Sequence, residues 1–357
     1  VNLSEIYEGT PLLMLEPDKD DMYQSNWDFP ENIIDAIELS ENITLKNEYR
    51  DVNNIIIAGM GGSAIGGDVV YSLIKNEIKI PFVVNRGYDL PAWANSSTLI
   101  ICSSYSGNTE ETISILEEAK SLGAKVIGIT TGGVLESLCK NYSFDFVNIP
   151  SGLQPRAALA FSFIPLLYIL KKTSLINVVV KDWLESSVDL IKSKREEYSL
   201  DKENNPVYQL ANKLYNKLPI IYADSASLET VAVRLKGQIC ENSKILAYHS
   251  IYPEMNHNEI VGWENNEEFF SNYYVLWLMD EEMNSRNKSR KNVISEILSD
   301  LNVSQQEIKV DGNSFKERFL LLIHYGDWLS YWCAILHNTD PSPVKNIQTL
   351  KYKLSKL

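Results

Sequence analysis

The sequence has few histidines and cysteines, and neither type is arranged for metal or redox chemistry. His249, His257, His324 and His337 are scattered along 357 residues, with no clustering that suggests a metal site. Cys102, Cys139, Cys240 and Cys333 lack the spacing of a zinc site or a redox pair. Two of them lie in strongly apolar stretches, which predicts reduced core thiols in a cytoplasmic protein. Positive charge is also short: 33 Lys and Arg face 47 Asp and Glu, for a net charge of −14. That balance argues against nucleic acid and anionic membrane as partners. A phosphorylated ligand would have to be met by local groups working against the global field. No apolar run is long enough to span a bilayer; the longest, Ala157–Leu170, contains Pro165 and reads as a buried helix. The opening Val1-Asn2-Leu3-Ser4-Glu5-Ile6 does not read as a secretory signal. A Walker A loop and a low-complexity tail are also missing.

What is there is alternation. The length suits two domains, and 45% hydrophobic residues can fill two cores. Residues 1–50 read as helical and polar, an arm packed on the first domain. Strand-like runs at 54–58, 81–84, 98–102, 125–130 and 145–149 are separated by amphipathic segments such as 64–75 and 109–122. This predicts a parallel sheet covered by helices on both faces. A long helical region, 156–195, follows Gly152 and Pro155. A second alternating set begins near Pro206, with strands at 219–223, 244–248, 272–279 and 307–310. Its helices are expected at 206–217, 225–242, 286–301, 314–337 and 344–354, and Asp280–Arg290 reads as a solvated turn and helix start. The expected class is α/β: two doubly wound domains, each a mainly parallel sheet flanked by helices. Residues 1–153 would form the arm and first domain, and 154–357 the connecting helices and second domain.

Residues 101–112 are the most informative stretch. The β-branched run Thr98–Ile101 leads into hydroxyl side chains packed around Gly107, and then into a helix marked by Ile113, Leu116 and Ala119. Asn108 with Glu111 three residues later fits a capping pattern. Ser104, Ser106 and Thr109 therefore cluster where free backbone N–H groups and the helix dipole attract an anion. Hydroxyls suit a small phosphate monoester; taken alone, the stretch is equally well read as a capped turn. An earlier stretch, Ala58-Gly59-Met60-Gly61-Gly62-Ser63, also ends an apolar strand, and its glycines permit close backbone approach to a ligand. Two such loops after successive strands reinforce one another.

In the second half, Glu241 falls near the end of an amphipathic helix carrying Leu228, Val231, Leu235 and Ile239. It faces the negative pole of the helix dipole, a setting suited to a general base. The plain alternative is an exposed glutamate on a last turn. Pro253-Glu254-Met255-Asn256-His257-Asn258-Glu259 sets a histidine among amides and carboxylates that can fix its tautomer. Glu254 and His257 make one Glu-x-x-His pair, where a carboxylate-bridged metal site requires two. The plain alternative is a solvated loop histidine.

Five segments then form a pattern in chain order: Gly61-Gly62-Ser63; Ser104-Tyr105-Ser106-Gly107-Asn108-Thr109; Pro155-Arg156-Ala157-Ala158; Glu241-Asn242 with Pro253–Asn258; and Asp340-Pro341-Ser342-Pro343-Val344. Together they resemble the bifunctional phosphoglucose/phosphomannose isomerases of the sugar isomerase (SIS) superfamily, over residues 50–355. The resemblance implies two SIS-type domains and a small sugar phosphate as substrate, with no cofactor, metal, nucleic acid or membrane partner. It implies that Gly62, Ser63, Ser104, Ser106 and Thr109 hold the phosphate. It implies that Glu241 shuttles a proton between C1 and C2 and that Arg156 stabilises the enediolate. His257 would assist ring opening from the partner subunit of a homodimer with shared active sites. Lys345 is the best match to a ring-opening lysine, with Lys351 and Lys353 close by, and Thr339 matches a threonine associated with the mannose epimer. Two other readings share the phosphate loop. A non-catalytic sugar-phosphate-binding protein need not keep Glu241, Arg156 and His257 together; an amino-sugar phosphate isomerase is the second.

Overall fold

A computed structural model describes residues 17–200 and 204–356. The expected N-terminal arm lies outside the described residues up to position 16; its described part forms helices α1 (Met22–Trp27) and α2 (Phe29–Glu41). The chain divides into two compact units. One comprises Asp28–Val188, and the other Asp189–Leu357 together with the N-terminal stretch ending at Trp27.

The Asp28–Val188 unit is built on a parallel sheet of order β2-β1-β3-β4-β5. Its strands are β1 (Asn54–Ala58), β2 (Phe82–Asn85), β3 (Thr98–Ser103), β4 (Lys125–Thr130) and β5 (Asp145–Asn148). The β-branched runs of the inner strands β1, β3 and β4 are buried on both faces, as inner parallel strands require, and all of β3 is buried. Helices α3 (Gly61–Ile74), α4 (Glu110–Ser121) and α5 (Gly133–Tyr142) connect them. Ile56, Ile100, Cys102, Ile115 and Leu116 share one core.

The expected helical region, 156–195, consists of two helices, α6 (Leu159–Lys172) and α7 (Lys181–Tyr198). Thr173 Oγ1 donates back to the Ile169 carbonyl, and Ser174 adopts a left-handed φ of 60°, which ends α6. The division of units also differs from a boundary at 153/154. The buried residues of α6 pack on α2 and α3, so this helix belongs with the first sheet. Tyr23 of α1, in contrast, stacks edge-on against Trp328 and Tyr331 (ring centroids 5.0 and 5.7 Å), in the other unit.

That second unit has a parallel sheet of order β7-β6-β8-β9, from β6 (Leu218–Asp224), β7 (Tyr248–Tyr252), β8 (Tyr273–Leu278) and β9 (Ser304–Ile308). Its helices are α8 (Pro206–Lys213), α9 (Glu229–Gln238), α10 (Ser285–Asp300), α11 (Phe315–Leu336) and α12 (Lys345–Leu354). β7 begins four residues later than expected, because 239–243 form a π-helical turn and Lys244 is left-handed, delaying the strand. β9 is a polar strand, Ser-Gln-Gln-Glu-Ile, paired from Tyr274↔Ser304. Its alternation is hidden because Gln305 is engaged by Trp277 Nε1 at 2.8 Å. Helix α11 is long and apolar enough to cross a membrane by length and composition, yet 94% of that stretch is buried inside the protein. It is the central helix of its unit, packed by α1, α8, α9 and the π turn. Asp280 departs from the expected solvated turn: it is buried against Arg318 of α11.

Candidate active site

The order 2-1-3 places a topological switch point between β1 and β3, where parallel α/β sheets form a crevice at the carboxyl ends of their strands. Both candidate anion loops emerge there. The Gly-rich loop follows β1 and opens α3, and the hydroxyl loop follows β3 and opens α4. Gly107 adopts φ 68°, and a Cβ on it would lie 1.8 Å from the Gly132 carbonyl, so this turn requires glycine.

The hydroxyls are knitted together. Ser104 Oγ and Thr109 Oγ1 are 2.8 Å apart, and Tyr105 N donates to Ser63 Oγ at 3.2 Å. Asn108 N donates to Ser106 Oγ at 3.3 Å. Ser104 is buried and Ser106 exposed. The expected cap is shifted: Thr109, not Asn108, occupies the N-cap of α4. Asn108 instead accepts from Val134 N and donates to the Ser106 carbonyl. The Thr109 hydroxyl turns toward Ser104, and no side chain caps α3 or α4, so both helix starts keep their dipole for an anion.

Arg156 joins this set through the backbone. A Cβ on Gly62 would lie 2.7 Å from the Pro155 carbonyl and 3.5 Å from Arg156 Cα, so the Gly-rich loop and the arginine segment touch only because residue 62 is glycine. Arg156 is buried. Tyr105 ties the ends down further: its hydroxyl accepts from Leu153 N at 3.0 Å, and its carbonyl accepts from Thr131 N and Oγ1. Burial holds the Tyr105 phenol above its ordinary value. The sequence reading did not single out Tyr105.

In the other unit, a cleft of about 570 Å³ is lined by Glu241, Thr339 and Lys345, together with Cys240, Lys244 and Asp340. Three residues weighed separately in the sequence thus share one cavity. Lys351 and Lys353 sit further along α12 and are exposed, outside that lining. Glu241 stands on the π turn Ile239–Ser243, a geometry enriched at functional sites. Buried polar contacts fix this turn against α11. Asn242 Nδ2 donates to Ser330 Oγ (2.9 Å), Ser243 Oγ to the Ser330 carbonyl (2.6 Å) and Gln238 Nε2 to Asp327 Oδ1 (2.7 Å). Arg234 donates to both Asp327 oxygens at 2.9 Å. Burial pushes the Asp327 carboxyl up, opposed by the Arg234 guanidinium.

His257 is elsewhere in this unit. It ends a 3₁₀ turn, Glu254–His257, is exposed, and does not line the Glu241 cleft. The loop is anchored on both sides of it. Met255 is buried, and Glu259 accepts from Tyr222 OH at 2.7 Å and from Tyr248 OH at 3.3 Å. Glu254 accepts from Asn258 Nδ2 at 3.3 Å. Among the described residues, no three His, Cys, Asp or Glu side chains are grouped to hold a metal ion.

Comparison with known proteins follows the same division. Residues 48–142 match the SIS domain, and residues 203–354 match the bacterial phospho-glucose isomerase C-terminal SIS domain. A bifunctional phosphoglucose/phosphomannose isomerase of Caldicellulosiruptor bescii is 44% identical over 94% of this chain and 99% of its own length. One of Aquifex aeolicus is 37% identical over 85% and 90% of the two chains. Among solved structures, a hypothetical protein from Thermus thermophilus aligns with a TM-score of 0.72 at 13% identity, over 96% of this chain and 92% of its own, which speaks to the fold alone.

Proposed function

Since the chain belongs to the bifunctional phosphoglucose/phosphomannose isomerase family, we propose that it interconverts fructose 6-phosphate with glucose 6-phosphate and mannose 6-phosphate through an enediolate. The observation that carries this reading is the single cleft holding Glu241, Thr339 and Lys345. Aldose–ketose isomerisation needs one base beside a carbon acid, a stabiliser for the enediolate and help in opening the sugar ring. Glu241 takes the C2 proton of the aldose and returns it to C1; the reverse reaction runs the same transfer backwards. Arg156 supplies the cation for the enediolate oxygens. Ser63, Ser104, Ser106 and Thr109, with the Gly62 backbone, hold the phosphate, which is remote from the reacting carbons and supplies binding energy for orienting them. Lys345 and His257 assist ring opening. A coupled assay of fructose 6-phosphate against both epimers, with EDTA present, tests the reading. Turnover to both is expected; loss of all activity in EDTA, restored by zinc, would reject it.

The proposed working unit is a homodimer with shared sites, and the free thiols suit a reducing, cytoplasmic setting. An exposed His257 on a firmly anchored loop supports a role toward a second chain. Mixing inactive Glu241→Gln with inactive His257→Ala after reversible dissociation should restore up to about a quarter of wild-type activity under random exchange. No recovery, with hetero-association shown by mass, would mean each site is built within one chain.

A further inference from the structure

The π turn that carries Glu241 is closed by a lysine whose ammonium reaches into the backbone. Lys244 Nζ donates to three backbone carbonyls: Glu241 at 2.7 Å, Asn242 at 3.2 Å and Pro341 at 2.8 Å. The first two are carbonyls at the end of the helix, where a cation meets both the unsatisfied acceptors and the negative pole of the dipole. The third belongs to the segment leading into α12, four residues before Lys345. One side chain thereby joins the two walls of the cleft: the π turn bearing Glu241 and the stretch bearing Thr339 and Lys345. Lys244 also adopts φ 57°, which folds the chain back at the turn's end.

We propose that Lys244 is a positioning residue for the isomerisation, setting the Glu241 carboxylate against the Lys345 wall. The proposal rests on the role given to Glu241 above. Lys244 is itself exposed, but one ammonium with charge-assisted bonds to three carbonyls links two chain segments at once, which a single surface ion pair does not. The α11 contacts of Asn242 and Ser243 fix the inner side of the turn, and Lys244 fixes the side that meets the Pro341 segment. Without it the inner anchors remain, so the fold is kept while the distance across the cleft is no longer held.

The test compares Lys244→Met, Lys244→Arg and Glu241→Gln. Lys244→Met keeps the aliphatic stem and removes the donors. A displacement of the order of an ångström at a reacting group costs about 100-fold, so kcat should fall by about that factor. KM and the affinity for a phosphorylated five-carbon sugar acid should stay within about threefold, because the phosphate loops belong to the other unit. Lys244→Arg, which keeps charged donors, should recover part of the loss. Should Lys244→Met fail to fold, Lys244→Gln, with one neutral donor, serves in its place and should lose about tenfold. Wild-type kcat in the Met or Gln variant overturns the proposal, as does a loss confined to KM and inhibitor affinity. Glu241→Gln separates the two claims. If it turns over normally, the assignment of Glu241 fails; if it is inactive while Lys244→Met is active, only the role of Lys244 fails.

Discussion

The two sheets share the strand order 2-1-3-4, to which the first adds a fifth strand, and end in opposite chemistry. In the first, the strands beside the switch point run into Gly61-Gly62-Ser63 and Ser104-Tyr105-Ser106, hydroxyls and amides suited to an anion. In the second, the corresponding strands β6 and β8 run into Asp224 and Asp280. Those carboxylates are already used. Asp224 accepts from Ser227 Oγ (2.7 Å) and Asn287 Nδ2 (2.6 Å), and Asp280 accepts from Arg318 Nε (2.7 Å) and Nη2 (3.1 Å). A phosphate would meet repulsion where the first sheet offers donors. The second unit places Glu241 away from the carboxyl ends of these two strands, on a π turn packed against α11. The same fold thus carries a proposed anchor in one copy and a proposed base in the other, and the proposed chemistry follows the loops rather than the architecture.

Glu241→Gln carries the largest expected effect: loss of a general base costs about 10²–10⁴-fold in kcat, with inhibitor affinity preserved. Near-normal turnover would remove the base from the second unit. Next, Asp280→Asn removes the buried carboxylate beside Arg318, which keeps Glu281 and Glu282 at 2.8 Å each, and should cost about 3 kcal/mol of stability, read by denaturant unfolding. Its KM should stay that of the wild type; a weakened KM would mean that the second crevice also binds substrate. Smaller are Ser104→Ala and Thr109→Val, each removing one hydrogen bond to a charged group worth roughly 1.5–3 kcal/mol. Inhibition by the phosphorylated sugar acid should weaken in both, and unchanged inhibition would move the anchor elsewhere. Smallest is Tyr105→Phe, which unties Leu153 N and should cost about 1 kcal/mol in unfolding free energy, with a modest loss of phosphate affinity. No change in either would mean that the Leu153 tie does not support the loop.

Much of this was legible because strand and loop signals coincide. The runs Asn54–Ala58, Thr98–Ser103 and Lys125–Thr130 are apolar, β-branched and bounded by glycine or hydroxyl residues, so period and punctuation agree. The strand expected at 307–310 lies at Ser304–Ile308; its start was obscured because Gln305 is an amide satisfied by Trp277 and Ser295 rather than an apolar group. The π turn escaped because α-helical spacing through Leu228, Val231, Leu235 and Ile239 continues smoothly up to it. Only Asn242-Ser243-Lys244, polar residues closing an apolar helix, hinted that the chain leaves α geometry there. Tyr105 and Lys244 share one reason for standing out only in the structure: each bonds to a backbone group distant in sequence, Leu153 N and the Pro341 carbonyl, which no local pattern reveals. Thr109 displaced Asn108 as the cap because Asn108 is drawn to Val134 of the next loop.

The proposed division of labour between a phosphate-anchoring sheet and a turn bearing the base is tested most directly by hydrogen exchange at the reacting carbons. Fructose 6-phosphate would be incubated in D₂O with wild-type enzyme and with Glu241→Gln, and deuterium followed by NMR at C1 of the ketose and C2 of the aldoses. The wild type should incorporate deuterium at these carbons. Glu241→Gln should incorporate none on the same timescale while binding the phosphorylated sugar acid as tightly as the wild type. Deuterium incorporation by Glu241→Gln at the wild-type rate would contradict the account.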